Sequence, residues 1–95
     1  MLKEYVDKLG NNETTWKQLA ILQYELGDLA RGIVYRERHP EDAKVWTVEA
    51  KVALSDLIAQ TIITCEREGW DFEEIKQMGI ERCIEKITRH LEKGE

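Results

Sequence analysis

Aliphatic residues recur at helical spacing through the first half of the chain. One set is spaced alternately three and four residues apart: Leu19, Leu22, Leu26, Leu29 and Ile33. This spacing places the side chains in one stripe, as in a helix of a bundle. The predicted helix begins at Thr14 or Thr15, where a threonine hydroxyl can cap it, and runs to about Arg38. The His39-Pro40 pair then ends it, because a residue that precedes proline is disfavoured in the α region.

Three further helices are predicted by periodicity and by stop signals. A short amphipathic segment runs from Leu2 to Leu9 and ends at Gly10-Asn11-Asn12. Another helix extends from Asp42 to about Glu68 and stops at Gly69, and the last extends from about Asp71 to Lys93. No alternating apolar run with turn residues is present, so no sheet is expected. The predicted fold class is therefore an all-α, antiparallel helical bundle.

The helix that ends at Gly69 has apolar residues on nearly every side. They are Val52, Ala53, Leu54, Leu57, Ile58, Ala59, Ile62, Ile63 and Cys65. A helix without a polar face is normally buried, yet a chain of 95 residues buries only about 60 to 65% of its unfolded surface. We therefore expect this helix to form the centre of an interface in a homodimer or a homotetramer, which completes the bundle.

Composition and charge restrict the classes of function. The chain is 42% hydrophobic and 35% charged, which is typical of a folded protein, and residues 1–95 are expected to form one domain. Its net charge of -5 argues against a partner such as duplex DNA, duplex RNA or an anionic membrane, all of which favour basic surfaces. The opening residues lack an apolar signal segment, and no run approaches a membrane span. We expect a cytoplasmic protein.

The two cysteines do not form a recognisable motif. Cys65 and Cys83 lie outside any CxxC or Cys/His pattern of a zinc or redox site. We expect both to be reduced and packed as small hydrophobic residues.

An acidic residue lies on an apolar face of the third predicted helix. At 100° per residue, Asp56 is close to the face that carries Val52, Ala59 and Ile63, so its carboxylate is predicted to point into the interior. Burying an unpaired carboxylate lowers the stability of the fold by an amount on the order of several kcal/mol. Asp56 is therefore a candidate for a functional role with a cation.

Two more acids lie beside the aliphatic stripe of the preceding helix. Glu25 and Asp28 are three residues apart on one flank, and Gly32 continues that flank. An exposed charged face is the commoner meaning of such a pair. Together with Asp56, however, the pair could offer oxygen ligands to Mg²⁺, or to Mn²⁺ in its place, from two facing helices.

The two acidic segments resemble a known family. They read Tyr24-Glu25-Leu26-Gly27-Asp28-Leu29-Ala30 and Ala53-Leu54-Ser55-Asp56-Leu57-Ile58, and they are similar to the motifs of MazG-like all-α nucleoside triphosphate (NTP) pyrophosphohydrolases, ExxE on one helix and ExxD on the next. The resemblance extends from about residue 14 to about residue 92. It implies that Glu25, Asp28 and Asp56 bind Mg²⁺ and are catalytic. The implied reaction cleaves an NTP between its α- and β-phosphates and releases pyrophosphate and a nucleoside monophosphate.

The sequence departs from the family pattern at three positions. Asp28 replaces the usual second glutamate, Ala53 replaces the first acid of ExxD, and Tyr24 replaces an acid that commonly supports the ligands. Glu49 lies on nearly the same face as Asp56 and is a candidate replacement ligand. The two are about 10.5 Å apart along the helix axis, so sharing one site requires an intervening water or a second metal. The alternative is that Glu49 is an ordinary surface residue.

Basic and aromatic residues are candidates for substrate binding. The resemblance implies that Lys86, Arg89 and His90, near the end of the last helix, contact phosphate oxygens. Alternatively, these charges simply complement the helix dipole. A tryptophan could stack on a nucleobase, although core packing is the commoner use, and an arginine cluster could steer an anionic substrate or remain solvated. These residues are Trp16, Trp46 and Trp70, and Arg31, Arg36 and Arg38.

Two functions follow from these patterns. The first is a Mg²⁺-dependent NTP pyrophosphohydrolase with a partly degenerate metal site. The second is a MazG-fold protein that has lost its fourth ligand and serves as a nucleotide-binding or assembly module without turnover.

Overall fold

A computed structural model describes residues 2–8 and 15–94. The described residues form four α-helices and one short 3-10 helix, with no strand among them: α1 (Leu2–Lys8), α2 (Thr15–Arg38), the 3-10 helix Pro40–Asp42, α3 (Ala43–Glu68) and α4 (Phe72–Glu92). The prediction of an all-α fold is confirmed. The predicted stop at Gly10-Asn11-Asn12 lies outside the described residues.

The break between α2 and α3 lies where the sequence predicts it. His39 has backbone angles of -130° and 69°, outside the helical region, as expected before Pro40. The 3-10 helix then closes with a hydrogen bond of 2.9 Å from the Asp42 amide to the His39 carbonyl oxygen. This tight turn brings α3 back alongside α2.

A glycine in the left-handed conformation ends α3. Gly69 has a φ of 75°, and its amide donates to the Glu66 carbonyl oxygen while the Trp70 amide donates to that of Cys65. These two bonds are the Schellman arrangement that terminates a helix. Asp71 then caps α4, because its carboxylate accepts hydrogen bonds from the amides of Glu73 (2.8 Å) and Glu74 (3.4 Å).

Helices α2 and α3 form an antiparallel hairpin with a close approach at one point. A Cβ atom added to Gly32 would lie 3.2 Å from the backbone nitrogen of Ala50 and 3.3 Å from its Cα and Cβ atoms. Ala50 and Ala53 are both buried. The small side chains at this contact let the two backbones approach each other.

A polar pair joins the other end of the hairpin. Gln18 is buried, and its Nε2 atom donates to the backbone carbonyl oxygen of Gln60 at 3.3 Å and to the Gln60 Oε1 atom. An amide buried without partners would cost free energy, whereas this one is satisfied across the two helices. The pair therefore ties the start of α2 to the second half of α3.

The core of the single protomer is small. Among the described side chains, the buried hydrophobic residues are Ala50, Ala53, Ile63 and Cys65, all on α3. Helix α3 contacts α2 and α1, but Val52, Leu54 and Ile58 on it are exposed. A single chain therefore does not cover α3 on all sides, as its length leads one to expect, and a place for α3 at the centre of an oligomer interface stays a prediction.

Helix α4 projects from the rest of the protomer. Within the described part of the chain it contacts only α3, and only Phe72 and Ile75, near its start, are partly covered. Cys83 on this helix is exposed, unlike the buried Cys65, so the prediction that both cysteines are packed is right only for Cys65. The Cα radius of gyration is 16.8 Å, compared with about 12.4 Å expected for a compact domain of this length. No helix among the described residues is long and apolar enough to cross a membrane.

Candidate functional site

A small acidic cleft lies between α2 and α3, beside their closest approach. Its lining residues are Asp28, Arg31 and Gly32 from α2 and Trp46, Glu49, Val52, Ala53 and Asp56 from α3. Three acids named in the sequence analysis therefore border one cleft. The antiparallel hairpin brings them together, because residues just after the middle of α2 face the first half and the middle of α3.

Glu25 belongs to the same electrostatic neighbourhood. It lies on α2 one turn before Asp28 and is partly exposed. Its pKa is raised from the usual 4.5, first by burial and then by repulsion from the carboxylates of Asp56 and Asp28. The carboxylates of Asp56 and Asp28 thus repel that of Glu25, and a cation or a proton at Glu25 would relieve the repulsion.

The side chain of Asp56 does not point into the core. It is exposed and lines the cleft beside Val52, which is exposed as well. Helix α3 turns a different face towards α2, on which Ala50 and Ala53 are buried. The prediction of a buried Asp56 carboxylate is wrong for the single chain. Asp56 is nevertheless near enough to Glu25 for its charge to contribute to the raised pKa of Glu25.

No acid occupies the position where the family resemblance predicts the fourth ligand. Ala53 is 5% exposed and lines the cleft between Glu49 and Asp56. Glu49 and Asp56 border the same cleft, but seven residues separate them along α3. Among the described residues, no group of three or more His, Cys, Asp or Glu side chains is arranged to hold a metal ion. The acids are therefore distributed along the cleft and do not converge on one point in the protomer.

One arginine of the predicted cluster lies in the cleft. A nitrogen of the Arg31 guanidinium group is 3.9 Å from a carboxylate oxygen of Asp28, and 58% of the Arg31 side chain is exposed. Arg36 and Arg38 do not line the cleft. An exposed ion pair of this kind contributes only about 0 to 1 kcal/mol to stability. Arg31 can therefore leave Asp28 at little cost when another anion enters.

Among the tryptophans, Trp46 borders the cleft. Its ring packs edge-to-face on Tyr35 with 4.9 Å between ring centroids, and Tyr35 also contacts the ring of His39. Trp70 is exposed and lies at the junction of α3 and α4. The side chain of Trp16 lies outside the described residues. Sequence reasoning did not distinguish Trp46 from the other two, because neither its spacing nor its neighbours in sequence mark it.

The predicted phosphate-binding residues lie elsewhere in the protomer. Lys86, Arg89 and His90 line a shallow pocket with Lys93 on α4, and all four are exposed. A guanidinium nitrogen of Arg89 lies 3.7 Å from a carboxylate oxygen of Glu85. Because α4 does not contact α2 in the described chain, the protomer does not bring this basic group to the acidic cleft.

Comparisons of the chain with protein families, curated proteins and solved structures find no match. The chemistry of the cleft is the remaining guide to function. It offers carboxylate oxygens from two helices, one guanidinium group and one indole ring. The carboxylates can bind a cation, the guanidinium group an anion, and the indole ring a flat apolar group.

Proposed function

We propose that this protein is a Mg²⁺-dependent nucleoside triphosphate pyrophosphohydrolase whose metal is held by Glu25, Asp28 and Asp56, with Glu49 at the margin of the site. The observation that carries the proposal is that Asp28 from α2 and Asp56 from α3 line one cleft. Glu25 lies one turn before Asp28, and its pKa is raised by burial and by repulsion from the carboxylates of Asp56 and Asp28. Like charges at one place are costly unless a cation neutralises them. The resemblance of the two acidic segments to MazG-like enzymes supports the same assignment.

The donor set fits Mg²⁺ in its chemistry. Mg²⁺ is commonly bound by one or two protein carboxylates and completes its coordination with water and substrate phosphates. A complete protein cage is therefore unnecessary, and the spread of acids along the cleft is compatible with a site that closes around the substrate. When bound, the metal would polarise phosphate oxygens and lower the pKa of a coordinated water.

Arg31 and Trp46 are proposed to bind the substrate. The weak, exposed pair between Arg31 and Asp28 can exchange for a pair between Arg31 and a phosphate, which a guanidinium binds well. This exchange would also free the Asp28 carboxylate for the metal. Trp46 offers an aromatic face near the cleft for a nucleobase. A role for Lys86, Arg89 and His90 in the same site would require that α4 of another copy, in a homodimer or homotetramer, reach the cleft.

A non-catalytic nucleotide-binding or assembly protein is the second candidate. It is favoured by the buried alanine at position 53, where the family resemblance requires an acid. Under this alternative the cleft would still bind Mg²⁺ and an NTP, but hydrolysis would be absent.

The two candidates differ in pyrophosphate release from a panel of nucleoside triphosphates in the presence of Mg²⁺. The enzyme proposal predicts release by the wild type and its loss in Asp56→Asn, because this substitution keeps the shape of the side chain and removes its charge. Asp42→Asn is the matched control, since Asp42 lies outside the cleft in the 3-10 helix. Loss of repulsion should leave the metal-free Asp56→Asn fold as stable as the wild type or more so.

Hydrolysis that survives in Asp56→Asn would refute the metal assignment. An inactive wild type whose melting temperature rises with Mg²⁺ and NTP would favour the binding protein. Ala53→Glu then tests whether the missing acid limits catalysis. Activity that appears only in this variant would show that the wild type has lost catalysis through the absence of this acid.

A further inference from the structure

The protomer exposes more surface than a compact protein of its mass. Its accessible surface is 7526 Å², whereas a folded monomer of 11.1 kDa is expected to expose about 5,650 Å². The excess is about 1,900 Å². This is on the order of one subunit's share of an obligate interface, which buries about 2,000 to 5,000 Å² in total. The uncovered surface is therefore large enough to supply one side of an obligate homodimer interface.

One part of the uncovered surface is an aliphatic stripe on α4. Its members are spaced four, three and four residues apart: Ile80, Ile84, Ile87 and Leu91. All are exposed, from 45% for Ile80 to 68% for Leu91. Glu81 and Glu85 flank the stripe on one side, and Lys86 and His90 flank it on the other, by the helical step of 100°. We name this set the α4 stripe. An apolar stripe with charged residues on both sides is typical of a helix that packs against an apolar surface.

A matching surface lies on the hairpin. An uncharged groove is lined by Leu19, Ala20, Leu22, Gln23 and Leu26 from α2 and by Leu57 from α3. Leu19 and Leu26 are about half exposed. Asp28 follows Leu26 by two residues and so lies about 160° away around α2. The groove and the acidic cleft therefore occupy different faces of α2, and filling the groove leaves the cleft open.

The chain's own α4 does not reach this groove, since α4 contacts only α3 among the described helices. The Schellman bonds at Gly69 and Trp70 and the cap at Asp71 fix the turn from α3 into α4. Phe72 then lines a pocket with Ile62 and Cys65 at the end of α3, and Ile75 is partly covered. Within the described chain α4 makes no contact with α2. Among the described helices neither α1 nor α4 contacts α2, so the groove on α2 is open to an element from a second chain.

We propose that the α4 stripe of one copy packs in the groove of a second copy, and reciprocally, so that the protein is an arm-exchanged homodimer. The stripe is about 16 Å long and the α2 seam from Leu19 to Ile33 about 21 Å, by the rise per residue. Both have the alternating spacing of three and four residues that lets two helices interdigitate. The uncharged groove receives the apolar stripe while the charged flanks of α4 stay in solvent. This inference rests on the proposed assembly but not on the proposed catalysis.

Molar mass measured by light scattering after gel filtration tests the exchange. The wild type should elute as a dimer at micromolar concentration, whereas Ile87→Glu and Leu26→Glu should elute as monomers, because each places a charge in the proposed contact. Met78→Glu is the matched control on α4, since Met78 is equally apolar and 51% exposed but lies nine residues before Ile87, about 180° around the helix. It should remain dimeric. Circular dichroism establishes that each variant keeps its helices.

Cross-linking identifies the surfaces that meet. Cys83 is exposed beside Ile84, and Cys65 is buried, so a flexible bis-maleimide reacts with Cys83 in the wild type. A second chain carries Gln23→Cys at the groove together with Cys83→Ser. Co-expression of the two chains should give a cross-linked pair of different chains.

The outcomes separate the exchange from the assembly and from the catalysis. A wild-type monomer overturns both the exchange and the assembly. A dimer that survives Ile87→Glu, or that cross-links through Cys83 in both chains but never to the groove, overturns the exchange alone. Pyrophosphate release is measured separately and decides the proposed function whichever of these results is obtained.

Discussion

Replacing Gly32 by alanine places one methyl group at the closest approach of α2 and α3. The new Cβ atom would meet the nitrogen of Ala50 at 3.2 Å and its Cα and Cβ atoms at 3.3 Å. These distances are shorter than normal carbon contacts of about 3.5 to 4.0 Å. Two of the three atoms met belong to the backbone of α3, so no side-chain rotation removes the clash. The helices must separate by a few tenths of an ångström, on the order of the shortfall from normal contact.

The expected magnitude combines two opposing terms. Glycine to alanine in a helix interior stabilises by about 0.5 to 1 kcal/mol, because alanine loses less backbone entropy on folding. Overpacking typically costs about 1 to 3 kcal/mol. Gly32→Ala should therefore lower the free energy of unfolding by about 1 kcal/mol. For a domain of this size, 1 kcal/mol corresponds to a melting-temperature decrease of about 4 to 8 °C.

Gly27→Ala isolates the packing term. Gly27 lies on the same helix, and a Cβ added there meets nothing within 4 Å. It should raise the melting temperature through the entropy term alone. The difference between the two variants therefore measures the overpacking cost. Urea and thermal unfolding at one protein concentration provide the measurement, since assembly makes stability concentration-dependent. An equal increase in both variants would show that α2 and α3 do not approach each other as closely as described.

Two other predictions concern the raised pKa of Glu25 and the cap of α4. A raised pKa means that the folded state holds the proton more tightly, so wild-type stability should decline as pH rises from about 4.5 through the raised value and then level off. Glu25→Gln should lack this decline in urea unfolding across that range, and an identical pH profile in both proteins would exclude the electrostatic neighbourhood described. Asp71→Ala should lower the free energy of unfolding by about 1 kcal/mol, because it removes the hydrogen bonds that the Asp71 side chain accepts from the amides of Glu73 and Glu74. Asp71→Asn keeps an accepting oxygen and should retain most of the stability, so equal melting temperatures of these two variants would contradict the capping role.

Helix boundaries were predictable because local chemistry sets them. Pro40 lacks an amide hydrogen and restricts His39, and this ends α2 regardless of tertiary context. Gly69 adopts a left-handed conformation that other residues reach only with strain. The predicted ends at Arg38, Glu68 and Gly69 agree with the structure. Each depends on one or two residues in sequence and not on distant partners.

The orientation of Asp56 was not predictable in the same way. A helical wheel gives the angle between two side chains on one helix but not the direction of the neighbouring helix. Because α3 carries apolar residues around its whole circumference, several faces were equally suitable for contact with α2. The structure uses the face of Ala50 and Ala53, where small side chains permit the closest approach. Asp56 consequently borders the cleft and is exposed.

Long-range pairs were missed for a related reason. Gln18 has the polarity of a surface residue, and its burial makes sense only with Gln60 opposite it, 42 residues away in sequence. The edge-to-face contact of Tyr35 with Trp46 spans the turn between α2 and α3 in the same manner. Both contacts depend on the pairing of the hairpin, which neither residue indicates alone. Only one signal in the sequence could have indicated these two contacts. It is the presence of complementary residues at positions that face each other in an antiparallel hairpin.

The missing acid and the close helix contact have a common physical basis. Ala50 and Ala53 are one turn apart on the face of α3 that meets α2, and Gly32 lies opposite Ala50. A glutamate at position 53 would have to extend from this tight contact into the cleft, where its charge would add to the repulsion already acting on Glu25. A small residue at this position thus favours a stable, metal-free hairpin, and an acid would favour a tighter metal site. In the proposed enzyme, Ala53 therefore makes the metal-free hairpin more stable and lowers its affinity for the metal.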